Sequence, residues 1–156
     1  MSTTQQAQET FRQLCSQEGP IEPATLDALF DSLEPIDCES ILGAWKGGAF
    51  DTGHKGMASL KAIKWYGKTF NSRFDAKPLI CYDEEGNLYS NQLMKGEASL
   101  WMIEFRGRVS AAMVYDGVPI VDHFRQVDER TLMGIMDGKP SVLDGGQHFY
   151  FYLERV

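Results

Sequence analysis

No stretch of the sequence approaches the roughly 18 consecutive apolar residues of a membrane-spanning helix, so no span is expected. The opening Met1-Ser2-Thr3-Thr4-Gln5-Gln6 has neither a basic nor an apolar signal region, which reads against secretion and for a cytoplasmic protein. Cysteine is scarce: Cys15, Cys38 and Cys81 are odd in number, widely scattered and without CxxC spacing. Reduced thiols are expected, rather than a disulfide framework or a zinc site. Histidine is equally sparse, and His54, His123 and His148 form no ligand-spaced cluster with cysteine or carboxylate, so no metal is expected. Basic residues are outnumbered, 15 Lys and Arg against 22 Asp and Glu, for a net charge of −7. Binding to a phosphate backbone or an anionic membrane needs a clustered basic face, which speaks against both partners. Catalytic signatures are missing too: there is no G-x-S-x-G elbow, no Walker A loop and no dinucleotide fingerprint.

What is present is an ordinary globular composition. The 156 residues are 43% hydrophobic and 24% charged, a length that fits one compact domain with a sizeable core or a core with a cavity. The first 36 residues read as helical. Thr3 and Gln6 form a capping-box pattern, and Ala7, Phe11 and Leu14 fall on one helical stripe. Gly19-Pro20 breaks that helix. Pro23 suits a first helical position, and Leu26, Leu29, Phe30 and Leu33 make a second stripe that Glu34-Pro35 ends. Two such short amphipathic helices need another surface to cover.

Residues 37–97 begin a different texture. Ile41 to Phe50 reads as a glycine-interrupted strand. Gly56 to Lys68 predicts a third helix with Met57, Leu60, Ile63 and Tyr66 along one side and Gly67 as its terminator. Pro78–Tyr82 and Leu88–Gln92 flank the turn residues Asp83 to Asn87. Residues 98–156 then read as a meander of strands: 98–106, 108–115, 118–127, 131–136 and 148–156. About eight strands result, the later ones antiparallel neighbours. Several are apolar on both faces. In Phe149-Tyr150-Phe151-Tyr152-Leu153 the two faces carry Phe and Leu on one side and Tyr on the other. A closed barrel covered partly by helices accommodates both faces, and a mainly β barrel is the expected fold, with a twisted sheet on helices as the alternative.

The segment Gly43-Ala44-Trp45-Lys46-Gly47 fits G-x-W-x-G. It is followed by Thr52-Gly53-His54, Trp65-Tyr66-Gly67-Lys68-x-Phe70, Glu104-Phe105-Arg106-Gly107, Pro119-Ile120-x-Asp122-x-Phe124 and Phe149 to Arg155. Together these resemble the bacterial GXWXG-motif proteins, in which the motif region is fused to a C-terminal domain of unknown function. A looser resemblance is to calycin and lipocalin barrels, which place G-x-W on the first strand and an Arg from near the last strand across the Trp. That resemblance implies a structural closure of Gly43, Trp45, Gly47 and Arg155, with the guanidinium on the indole, and a barrel that holds a ligand.

A small hydrophobic or amphipathic molecule, fatty-acid-like or lipid-like, is the expected partner. Trp45, Trp65, Phe70 and Phe124 are the expected apolar walls, and His54, Lys68 and Asp122 the polar grip. Lys68 would reach a carboxylate or phosphate headgroup. Asp122 and His123 are adjacent in a strand and so face opposite ways; Asp122 shares its face with Ile120 and Phe124, with Arg106 or Arg125 as its candidate partner. The bland alternatives are a turn cap for His54, a solvated surface lysine for Lys68 and a structural ion pair for Asp122. An isomerase or hydrolase using His54 or Asp122 as acid or base in the same pocket is the competing function. Haem held by His148 is a minor alternative; no cofactor is expected. An interaction module, with the second apolar face covered by a homodimer, is the third.

Overall fold

The computed structural model describes residues 2–156. Helix α1 (Thr3–Cys15) and helix α2 (Pro23–Ser32) precede strand β1 (Gly43–Ala49), helix α3 (Lys55–Ala62) and strands β2 (Trp65–Ser72), β3 (Asp75–Tyr82) and β4 (Leu88–Ser90). Strands β5 (Ala98–Phe105), β6 (Arg108–Tyr115), β7 (Ile120–Asp128), β8 (Thr131–Gly138) and β9 (Phe149–Arg155) complete the chain. The sheet runs β2-β1-β9-β8-β7-β6-β5-β3, and β2 also pairs with β3, so eight antiparallel strands close into a barrel with β4 appended to β3. The first strand meets the last between Trp45 opposite Arg155 and Ala49 opposite Phe151. The thinnest seam is β3–β5, paired only at Ala76 and Ala98. There Lys77 reaches Glu97 at 3.1 Å, and the Leu100 N–H donates to the Arg73 carbonyl.

The two-faced strands feed two cores. Phe149, Phe151 and Leu153 point into the barrel with Met113, Phe124 and Leu132. Tyr150 lies under the N-terminal helices with Met133, Ile135, Phe11, Leu26 and Phe30, with Tyr152 packed against that cluster. Helices α1 and α2 therefore cover the outside of the barrel wall, which keeps roughly 25 cal/mol of burial free energy per Å² of apolar surface on that face. The capping box of α1 sits one residue earlier than the sequence predicts: Ser2 Oγ accepts from the Gln5 N–H at 3.1 Å, and Gln5 Oε1 accepts from the Ser2 N–H.

The third helix differs from expectation. It ends at Ala62, and the segment expected to be its last turns is strand β2. Lys64 adopts φ +56°, which breaks the helix, and the aromatic and β-branched residues beyond it suit a pleated surface. Gly67 is thus a strand residue, not a helix terminator. It pairs with Lys46 across β1, where any Cβ would overlap the Trp45 carbonyl oxygen. Strand β2 carries Lys68 into the barrel, and the site depends on that.

His123, on the outer face of β7, stacks flat on Phe105 at 3.8 Å. Burial pushes its imidazole down from 6.5 to about 4, and burial also lowers His54. Folding thus favours the neutral form of both, whereas the unfolded chain takes up their protons near pH 6.5. The His123 contribution is therefore full above that pH and is lost as pH falls toward 4, by up to about 1.4 kcal/mol per pH unit, and His54 adds a loss of the same sign. Urea unfolding at pH 7.5, 6, 5 and 4.5 should show that decline, and His123→Gln should flatten it. An unchanged slope in the variant would assign the acid sensitivity elsewhere.

Candidate functional site

At the end of the barrel where β2, β7 and β9 begin, a cavity of about 260 Å³ lies beneath α3. Its wall is largely aliphatic and aromatic, with Leu60, Leu79, Ile120, Met136, Phe149 and Phe151. A cavity of about 150 Å³ holds benzene, so this one has room for roughly ten non-hydrogen atoms on the same scale.

One polar cluster interrupts the apolar wall. Lys68 Nζ on β2 lies 3.1 Å from Asp122 Oδ2 on β7, with the two side chains only 4% and 2% exposed. Nζ also faces the Pro78 carbonyl at 3.4 Å and Tyr115 Oη at 3.5 Å. Tyr115 donates its hydroxyl to Asp122 Oδ2 at 3.4 Å. The ammonium is ringed by Trp65, Tyr115 and Phe151, with centroids at 5.6, 5.8 and 5.1 Å, a set of faces that suits a desolvated cation. Burial raises the Asp122 carboxyl above its ordinary value, opposed by Lys68. Burial and the neighbouring carboxylate lift the Tyr115 phenol well above 10, so it stays a donor. Asp122 Oδ1 is buried without a hydrogen-bond partner among the described residues.

The G-x-W-x-G segment stands beside this cavity and shapes it indirectly. Trp45 is fully buried and donates its indole N–H to the Ile41 carbonyl at 2.8 Å. Arg155 lies over its ring with Cζ 4.3 Å from the centroid, and donates to the carbonyls of Leu42 and Ser40 at 2.7 and 2.8 Å. Each glycine leaves room for one of the neighbours. A Cβ on Gly43 would come within 2.8 Å of the Arg155 guanidinium, and one on Gly47 would overlap the Trp65 indole. Gly47 is thus the bed on which Trp65 reaches the cavity wall.

Residues 28–86 match the family described as GXWXG protein, and residues 96–155 match a domain of unknown function (DUF4334). The chain is similar over nearly its whole length to a protein from Thermomonospora curvata solved by crystallography, at 36% identity and a TM-score of 0.87, covering 97% of this chain and 99% of that one. The chain belongs to the GXWXG family. No match was found among curated proteins.

Within this GXWXG barrel, His54, Trp65, Lys68 and Asp122 meet in the cavity wall, whereas Trp45, Phe70 and Phe124 lie fully buried in the core and do not line it. The partner of Asp122 is Lys68, not Arg106 or Arg125. Arg125 stands three residues along β7 and so points outward, over Phe30 at 4.5 Å. Arg106, in the β5–β6 turn, pairs with Asp31 at 2.6 Å. His54 caps α3: Nδ1 accepts from the Gly56 N–H at 2.8 Å, and Nε2 lies 3.2 Å from the Gln147 carbonyl, which requires the Nε2–H tautomer. Both ring nitrogens are engaged, which leaves Asp122 as the better placed of the two acid–base candidates. His148 stands outside the wall, near Asp137 and the Met136 carbonyl.

Tyr115 is the member that sequence reasoning missed. It shares a strand face with Met113, which pairs with Asp122, so the β6–β7 register alone brings it beside Asp122. Among the described residues, no group of three or more His, Cys, Asp or Glu side chains is placed to hold a metal ion. No helix among them is long and apolar enough to cross a membrane.

Proposed function

We propose that the barrel binds a small hydrophobic or amphipathic molecule in this cavity, with Trp65, Phe149 and Phe151 as walls and the Lys68–Tyr115–Asp122 cluster fixing its polar end. The supporting observation is an apolar space of about 260 Å³ that converges on a few buried polar groups. Such a composition is typical of small-molecule sites, where apolar area gives affinity and a few hydrogen bonds give orientation. The size favours a short or single-ring molecule over a long-chain lipid.

Native mass spectrometry of the protein as purified, repeated after denaturation, tests the reading together with calorimetric titration of stripped protein. The expected result is a one-to-one complex with a compound of about ten non-hydrogen atoms, either as a mass excess lost on unfolding or as saturable binding afterwards. A clean mass and no saturable binding of any small apolar compound would overturn it.

A further inference from the structure

The hydrogen-bond inventory of the cluster specifies the charge and polarity of the occupant, given that the cavity binds a small molecule as proposed above. An ammonium carries three N–H donors. Lys68 has three protein acceptors around it: Asp122 Oδ2, the Pro78 carbonyl and Tyr115 Oη. No donor of Lys68 is left for an incoming headgroup. Its charge is also matched already, because Asp122 stands 3.1 Å away. A carboxylate ligand would lose its hydration on entry and would meet a neutral ion pair rather than a free cation. An ammonium ligand would find the one nearby carboxylate already paired with Lys68.

What the cluster lacks is a donor. Asp122 Oδ1 is a buried carboxylate oxygen with no partner among the described residues, and an unpaired buried acceptor is costly. We infer that the occupant is a neutral alcohol or phenol whose hydroxyl donates to Asp122 Oδ1 while its apolar body fills the cavity. Fatty acids in their ionised form are the class this arrangement selects against. Asp122 is then the specificity residue: it neutralises Lys68 and accepts the ligand hydroxyl.

Titration calorimetry at pH 7.5 with 1-octanol, octanoate and 1-methoxyheptane tests this on the wild-type protein. The three probes have similar apolar bodies; the ether is the donor-free counterpart of the alcohol. Octanol should bind at least 5-fold more tightly than either of the others, the scale expected when a buried acceptor gains or lacks a donor. Octanoate binding more tightly than octanol, or the ether matching octanol, would overturn the inference while leaving small-molecule binding intact. No binding of any of the three would overturn the inference alone; small-molecule binding falls only if the protein as purified also carries no bound mass and no other small apolar compound binds. Asp122→Asn exposes the Lys68 charge, and the affinity ratio of octanoate to octanol should rise at least tenfold; an unchanged ratio would remove Asp122 from its specificity role. The wild-type comparison decides the matter even if the variant does not fold.

Discussion

Lys68→Met should destabilise the protein by about 3–5 kcal/mol at pH 7.5, the typical result of leaving one half of a buried ion pair unpaired. Asp122 would then be a charge in an apolar wall, with only the Tyr115 hydroxyl at 3.4 Å to stabilise it. The pH dependence follows from the direction of the Asp122 shift. Burial already raises this carboxyl, and Lys68 holds it down, so loss of the lysine raises it further. A raised folded-state value contributes stability below the unfolded value of 3.8 and loses it as pH rises. The deficit of the variant relative to wild type should therefore shrink on acidification, even though both proteins lose stability through their histidines. Lys68→Met/Asp122→Asn removes both charges and leaves an amide oxygen for Tyr115. It should recover at least half of the loss in urea unfolding. A double variant as unstable as the single one would show that the Pro78 and Tyr115 contacts, rather than charge pairing, hold this cluster.

The helices and most strands were legible because their patterns are local. Ala7, Phe11 and Leu14, and then Leu26, Leu29 and Phe30, are buried as their spacing predicts, and the Phe–Tyr alternation of β9 sorts into the two cores. Asp122 was also legible as a charge on an apolar face opposite to that of His123, since strand parity alone separates the two; that this face is the inner one came from the barrel itself. Its partner was not. Met57, Leu60, Ile63 and Tyr66 keep a helical spacing beyond Ala62, and nothing local outweighs that spacing. The strand is imposed by tertiary pairing: Gly67 must pass the Trp45 carbonyl, and Trp65 must lie on Gly47. With β2 read as helix, Lys68 was expected to reach a ligand headgroup but was not placed beside Asp122, and an arginine was the natural substitute as its partner. His54 was obscured differently. A polar glycine-rich loop before a helix looks alike whether its histidine caps the helix or serves a ligand, and only the Gly56 and Gln147 contacts separate the two.

Trp45→Ala should cost about 3–5 kcal/mol, the range for deleting a fully buried aromatic side chain. The effect has a second component, because the indole supports Arg155. That guanidinium lies on the ring while donating to the Leu42 and Ser40 carbonyls, and so ties the last strand to the chain entering the first. The two contributions separate in a double-mutant cycle of Trp45→Leu and Arg155→Met followed by urea unfolding. A coupling of about 0.5–1 kcal/mol is expected for this half-buried cation–aromatic pair. Coupling near zero would mean that Arg155 acts through its two carbonyl bonds alone. Because Trp45 does not line the cavity, a folded Trp45→Leu protein should keep the wild-type preference among cavity ligands despite its lower stability. Gly47→Ala should do the reverse, since its methyl meets the Trp65 indole in the cavity wall rather than the Trp45–Arg155 stack. The motif thus divides between two tasks: Gly43 and Trp45 serve closure of the barrel, and Gly47 serves the wall of the site.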